Sequence, residues 1–384
     1  MFRPLTIRDV TLPNRVGVSP MCMYATTGGF ASDFHLAHLA RFALGGAGLV
    51  LAEATAIEPQ GRISPWDTGL WSDEHIAGWR RVTAVIAEQG SVPGIQLGHA
   101  GRRASVREPW RAGAPLDHED AAEGFGPWPV VGPSAIATGP GFPVPEAMDP
   151  AAVTRSVERW AQAARRAVEA GFQYIELHGA HGYLLHSFLS PLSNHRDDAY
   201  GGDAERRMRY PLEVVAAVRA AIGAGIPLAY RLSAVDGIEG GITLDDTVVF
   251  ARRLAAEGVD VVDTSSGGIS TDRSRDTRVR RGFAFHADFS RRVRDEARVL
   301  TATVGLVVDA HQAARLVEDG DADLVLLGRE MLDDPNWTHR ARIALGDESY
   351  ASWPVRYGSA LGPRAGTLRR LAEAGETPLS RFTG

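Results

Sequence analysis

The chain has 384 residues, more than one average domain but within reach of single-domain folds that carry long loop insertions. It is 44% hydrophobic and 23% charged, and its formal charge of −6 argues against a nucleic-acid partner, which would need a basic face. All 41 Lys+Arg positions are arginine, which excludes Schiff-base and pyridoxal-phosphate chemistry; the single cysteine excludes an internal disulfide and any four-cysteine iron–sulfur or zinc centre.

In chain order, the N-terminal run MFRPLTIRDVTLPNRV has no apolar signal core, and no stretch approaches 18 uninterrupted apolar residues. Neither signal peptide nor membrane span is expected, and the cytoplasm is the expected compartment. Apolar runs at Arg15–Ser19, Gly48–Ala54 and Pro93–Leu97 predict three strands. A segment of about residues 103–150, rich in Pro, Gly and Trp, then separates the third strand from its helix. That helix, Pro150–Ala170, opens after Asp149, carries Val153, Val157, Trp160, Ala164 and Val168 on one face, and closes on Gly171. Further strands follow at Tyr174–His178, Leu228–Ser233, Val259–Thr264, Val299–Val304 and Leu324–Gly328. Helices at Leu244–Glu257 and Ala310–Asp319 close on Gly258 and Gly320. Eight such units with near-continuous apolar strands predict an α/β fold, a (β/α)8 TIM barrel over residues 1–345 with an extended loop after strand 3. Residues 346–384 read as a C-terminal tail that could meet another subunit, with room for a short helix over Gly362–Gly375.

In such a barrel, chemistry collects where the strands end. Those ends read Ser19-Pro20-Met21-Cys22-Met23-Tyr24, Glu53-Ala54, Gln96-Leu97-Gly98-His99, Glu176-Leu177-His178-Gly179-Ala180-His181-Gly182-Tyr183, Arg231, Gly305 and Gly328-Arg329. His178 and His181, three apart beside Glu176, are open to reading as metal ligands, as buried structural histidines or as hydrogen-bond donors. Tyr183 and Tyr24 could be packing aromatics, and Cys22 a small buried hydrophobe. Arg231, ending an apolar strand, demands an anionic partner if buried.

The run Glu176–Arg196 (ELHGAHGYLLHSFLSPLSNHR), then Asp198–Gly202 and Glu205-Arg206-Arg207, resembles the signature of the old yellow enzyme family. Ser19–Tyr24 (SPMCMY), Leu97–Arg103 (LGHAGRR) and Leu327–Glu330 (LGRE) resemble its other blocks, in the same order over residues 2–345. The cysteine in the first block points to the thermophilic-like, xenobiotic-reductase branch.

The resemblance implies a non-covalent FMN, with NADPH or NADH as hydride donor, and ping-pong reduction of the C=C bond of an α,β-unsaturated carbonyl compound. It implies that His178 and His181 hold the carbonyl oxygen, where fixed donors stabilise enolate charge. Tyr183 would protonate the α-carbon, and Tyr24 would touch the substrate. Ser19, Pro20, Met21, Cys22, Ala54, Gln96 and Arg231 would contact the flavin ring system, Cys22 near its N5/O4 edge and Arg231 on the N1/O2 side. Gly305, Gly328 and Arg329 would bind its phosphate. A homodimer or homotetramer is expected.

Two positions depart from the branch. Arg103 stands where lysine is common, and the tail reads Trp353-Pro354-Val355-Arg356-Tyr357-Gly358-Ser359 without the arginine that relatives extend into a neighbouring subunit; Arg356 is its nearest substitute. The competing readings are a metal-dependent barrel hydrolase using His178 and His181, a flavin-binding protein without turnover, and the larger iron–sulfur barrel reductases, which one cysteine argues against.

Overall fold

The computed structural model describes residues 1–272 and 279–378. Within them, strands β1 (Val16–Val18), β2 (Leu49–Ala56), β3 (Val92–Gly98), β4 (Tyr174–Gly179), β5 (Leu228–Ser233), β6 (Val261–Ser265), β7 (Leu300–Thr303) and β8 (Leu324–Leu327) run parallel. Each pairs with the next in sequence, and β8 pairs with β1, so the sheet closes into the expected barrel. Helices α1 (Asp33–Leu44), α2 (His75–Glu88), α3 (Pro150–Glu169), α4 (Ala204–Ile222), α5 (Leu244–Ala256), α6 (Ala287–Ala297), α7 (Ala310–Glu318) and α8 (Trp337–Ala344) each follow one strand. An antiparallel hairpin, Leu5–Ile7 against Val10–Leu12, precedes β1. Its Ile7 and Leu12 pack with Leu49, Leu324 and Leu326, which stoppers the end of the barrel opposite the strand C-termini.

Alternation along the strands fixes what faces inward. Ile175 and Leu177 of β4, Tyr230 of β5 and Val262 of β6 pack outward against the helices. Tyr174, Ala229 and Val261 belong to the interior cluster. Glu176 and His178, Arg231 and Ser233, and Asp263 and Ser265 therefore share the interior face of three adjacent strands, stacked above an apolar base.

Helix α3 shows how sequence sets the outer layer. Asp149 accepts a hydrogen bond from the Ala152 N–H at 2.6 Å and Pro150 occupies the first turn, so the start is fixed. Its buried stripe is Val153, Ser156, Trp160, Ala163, Ala164 and Ala167, with Val157 and Val168 half-buried at the edges. The Tyr210 hydroxyl of α4 lies 2.7 Å from Ser156 Oγ and accepts from Trp160 Nε1 at 3.2 Å, which satisfies buried polar atoms on both helices. Truncating the fully buried Trp160 to alanine costs about 3–5 kcal/mol.

The loop after β3 has little regular structure and is held by arginines. Arg102 donates to the carbonyls of Ile136, Ala137 and Ile269, and Arg196 donates to those of Pro133 and Met148. Arg107 pairs with Asp117 at 2.8 Å and with buried Asp120 at 2.7 Å. A guanidinium offers five N–H donors in a fixed fork, so it can staple several carbonyls of a segment whose sequence has no helix or strand period.

The tail differs from expectation. A helix α9 spans Val355–Glu373, beginning directly after Pro354, running through Pro363 and burying none of its residues. Residues 379–384 of the expected tail lie outside the described residues. No helix of the described residues is long and apolar enough to cross a membrane.

Candidate active site

The lowest polar layer of the barrel surrounds Arg231. Its Nε lies 3.2 Å from Asp263 Oδ2, one strand away in register, so the buried guanidinium has the anionic partner that burial demands. Its Nη1 donates to Ser19 Oγ at 3.2 Å, tying β5 to the turn that follows β1. Gln96 Nε2 donates to Glu176 Oε1 at 2.8 Å between β3 and β4. Burial raises the Glu176 carboxyl, the charge of Asp263 adds to the rise, and Arg231 opposes it. Glu176 Oε2 and both Asp263 oxygens are buried without a hydrogen-bond partner.

Above this layer stand the two histidines. The His178 and His181 rings meet edge to face at 5.1 Å, and His178 meets Tyr183 the same way at 4.8 Å. The Ala180 N–H donates to His178 Nδ1 at 3.3 Å. His181 has a left-handed backbone, φ 59°, held by its N–H to Ser233 Oγ at 3.0 Å, and its Nε2 lies 2.7 Å from Ser265 Oγ. Burial and the nearby Arg231 push both imidazoles well below the usual histidine range, so both are neutral at pH 7. Among the described residues no three His, Cys, Asp or Glu side chains gather as metal ligands would.

The mouth is a cavity of about 720 Å³ bounded by Tyr24, Tyr183 and Arg103 on the barrel side and by Val106, Pro109 and Phe142 of the long loop. Cys22, Tyr24 and Tyr183 pack against one apolar cluster that includes Ile63, Ala104, Val106 and Val130. Tyr24 has φ 54°, a strained value for a bulky residue, and its ring meets Trp110 edge to face at 5.7 Å. Burial raises both phenols, and for Tyr183 the cation of Arg103 works against the rise. Burial, then Asp67 and Glu53, push the Cys22 thiol up, so it stays protonated; a hydrogen bond with the Ala54 backbone only partly offsets this.

At the ends of β7 and β8 a separate cavity of about 240 Å³ is lined by Gly305, Leu306, Gly328 and Arg329. Gly305 has φ 115°, and a Cβ there would stand 2.8 Å from the Phe285 ring and 2.9 Å from His286 Nδ1, so only glycine fits. A Cβ on Gly328 would sit 3.5 Å from Met21 Sδ, which places the first block beside the eighth strand end. Arg329 is exposed at the rim, and among the described residues it has no carboxylate partner.

Every site residue expected from sequence thus lies at the C-terminal end of the barrel, in an inner polar layer, a histidine–tyrosine layer or the neighbouring glycine-lined cavity. Arg356, expected at a neighbouring subunit's pocket, lies apart from them in its own chain. It lines a cavity with Leu44, His339 and Trp353 on the outside of the barrel, which shares no residue with the mouth. Sequence reading missed Asp263, Ser233 and Ser265. The available signal was polar residues on the inward period of strands otherwise apolar, as in VVDTS. It also missed Asp236 and His186, buried 2.8 Å apart, which anchor the short helix following Tyr183.

Residues 1–348 match the family model described as the NADH:flavin oxidoreductase / NADH oxidase family. A protein of Bacillus subtilis named NADPH dehydrogenase is 41% identical over 359 residues, covering 93% of this chain and 98% of that one. The solved structure of morphinone reductase superposes with a TM-score of 0.73 at 27% identity over 89% of each chain. The old yellow enzyme homologue from Zymomonas mobilis superposes with a TM-score of 0.72 at 24% identity, covering 90% of this chain and 92% of that one.

Proposed function

The chain belongs to the NADH:flavin oxidoreductase / NADH oxidase family, that of old yellow enzyme, and from that premise we propose that it is an ene-reductase acting on α,β-unsaturated carbonyl compounds. It is an FMN-dependent NAD(P)H oxidoreductase. The residues present fit the cofactor. Arg231, Ser19 and Gln96 offer buried polar groups to a flavin's pyrimidine side. Ala54 and the Pro20-Met21-Cys22 turn flank them, and the cavity at Gly305, Gly328 and Arg329 suits a phosphate. When bound, FMN supplies a two-electron carrier between the nicotinamide and the acceptor.

The observation that carries the reading is the clustering, ring against ring, of two neutral imidazoles and one protonated phenol at the C-terminal end of the barrel. His178 accepts at Nδ1 from the Ala180 N–H, so its proton sits on Nε2 and is available to a carbonyl oxygen. For His181, a Ser265 hydroxyl that donates to Nε2 leaves the proton on Nδ1 and gives the carbonyl a second donor. Neutral donors in a dry site stabilise the oxyanion that develops as the β-carbon is reduced. Tyr183, kept protonated, gives its O–H proton to the α-carbon. Protonated Cys22 shapes the mouth without attacking the substrate.

Stopped-flow measurement separates the roles. In His178→Ala, reoxidation of the reduced holoenzyme by cyclohexenone should slow by about 10²–10³, and in Tyr183→Phe by about 10²–10⁴. Wild-type reoxidation rates in His178→Ala would show that it does not hold the carbonyl.

A further inference from the structure

Arg103 follows β3 in the short turn Gly101–Arg103 and is half-buried at the mouth. Its Nη1 donates to the carbonyls of His181 and Gly268, the second at 2.8 Å, while its guanidinium carbon lies 5.6 Å from the centre of the Tyr183 ring. One nitrogen thus holds the arginine against the loops after β4 and β6. Its Nε and Nη2 carry three more N–H groups, and no described residue accepts them. Among the described residues no carboxylate is within ion-pair distance of it, although Asp272 lines the same cavity. The other cation on the wall, Arg107, is neutralised by Asp117 and Asp120. Among the described residues Arg103 is therefore a cation without an ion-pair partner, in a cavity whose other walls combine Tyr24, Tyr183, Val106 and Phe142 with the polar Ser270–Asp272 segment.

We infer that Arg103 is an anion-recognition residue. It selects a ligand that presents a carboxylate or phosphate to the cavity wall beside Tyr183. Two-point contact by a fixed guanidinium fork suits either anion, and partial enclosure by the long loop strengthens the attraction. The anion comes from one of two sources: a carboxylate on the α-side of the acceptor's double bond, or a phosphate of the nicotinamide nucleotide. The inference rests on the ene-reductase reading for the first source and is independent of it for the second.

The test uses the holoenzyme and the variants Arg103→Gln and Arg103→Lys. The acceptors are dimethyl itaconate and the monoester that keeps a free carboxylate on the α-substituent; the donors are NADPH and the phosphate-free 1-benzyl-1,4-dihydronicotinamide. If the acceptor supplies the anion, the ratio of kcat/KM for monoester over diester falls at least tenfold in Arg103→Gln and is largely restored in Arg103→Lys. If the nicotinamide nucleotide supplies it, the ratio of flavin reduction by NADPH over the benzyl compound falls instead. Either result supports the anion site. A residue that only braces the His181 loop would slow all four reactants together and leave both ratios unchanged, which would overturn the inference. Should the wild-type enzyme take electrons from NADPH yet reduce neither ester, the ene-reductase reading fails, and the donor ratio alone judges Arg103.

Discussion

Gln96 donates its side-chain N–H to Glu176 at 2.8 Å, from one strand to the next, in the buried layer beneath the histidines. That bond commits the amide nitrogen, so on the proposed reading the Gln96 carbonyl oxygen is left as the acceptor for a flavin. Glu176→Ala frees the amide to turn and removes one hydrogen-bond contribution of about 1 kcal/mol. FMN retention should weaken by roughly fivefold, read as flavin fluorescence released on dilution of the holoenzyme. Unchanged retention would show that the pair does not orient Gln96 toward the cofactor.

The Ser265 hydroxyl lies 2.7 Å from His181 Nε2 and makes no other hydrogen bond among the described residues. In Ser265→Ala the imidazole loses its fixed tautomer, so half or more of the molecules present the wrong nitrogen. Reoxidation by cyclohexenone should drop about three- to tenfold, milder than loss of an oxyanion donor outright, with NADPH-driven flavin reduction less affected. Equal loss in both half-reactions would assign Ser265 a structural role.

Gly305→Ala places a Cβ 2.8 Å from Phe285 at a backbone angle of φ 115°. Strain of about 1–3 kcal/mol follows, together with a shift of the chain lining the glycine cavity. A lower melting temperature and purified protein carrying less than one FMN per chain are expected. Full occupancy with lowered stability would separate this turn from phosphate binding.

Burial, with Asp67, pushes the Glu53 carboxyl up to about 8; His35, whose Nε2 lies 3.6 Å away, is pushed down to about 4 by burial. The folded chain keeps Glu53 protonated where the unfolded chain has ionised it, so stability falls as pH rises from the unfolded carboxyl range through about 8. The stabilisation from neutral buried histidines is already complete above about pH 6.5. The melting temperature should therefore decline between about pH 6.5 and 8 and then level off with respect to this group. Glu53→Gln should flatten that decline, by up to about 1.4 kcal/mol per pH unit. An unaltered slope would remove Glu53 from the pH response.

Much of the fold was legible because its causes are local. Strands such as Leu228–Ser233 are continuous apolar runs, and α3 is bounded by its Asp149 cap and by Gly171. Periodicity and caps act over one or two turns, so the eight βα units and most of their limits follow from neighbouring residues. The tail helix is longer than the short one expected over Gly362–Gly375: a proline locally suits the first turn of a helix, yet α9 begins at Val355 and runs through Pro363.

By itself the sequence determined the alternation of strands and helices, the order of the polar strand ends, and the chemistry that one cysteine and no lysine forbid. Its ordered motifs also brought His178, His181, Tyr183 and Arg231 forward as a set. Only the tertiary structure decided that Arg231 faces Asp263, 32 positions on, that Ser265 fixes His181, and that Arg103 joins three loops with N–H groups to spare. Those pairings depend on strand register and barrel closure. Register carries one residue past its neighbour on the next strand, and no local pattern encodes which residue that will be.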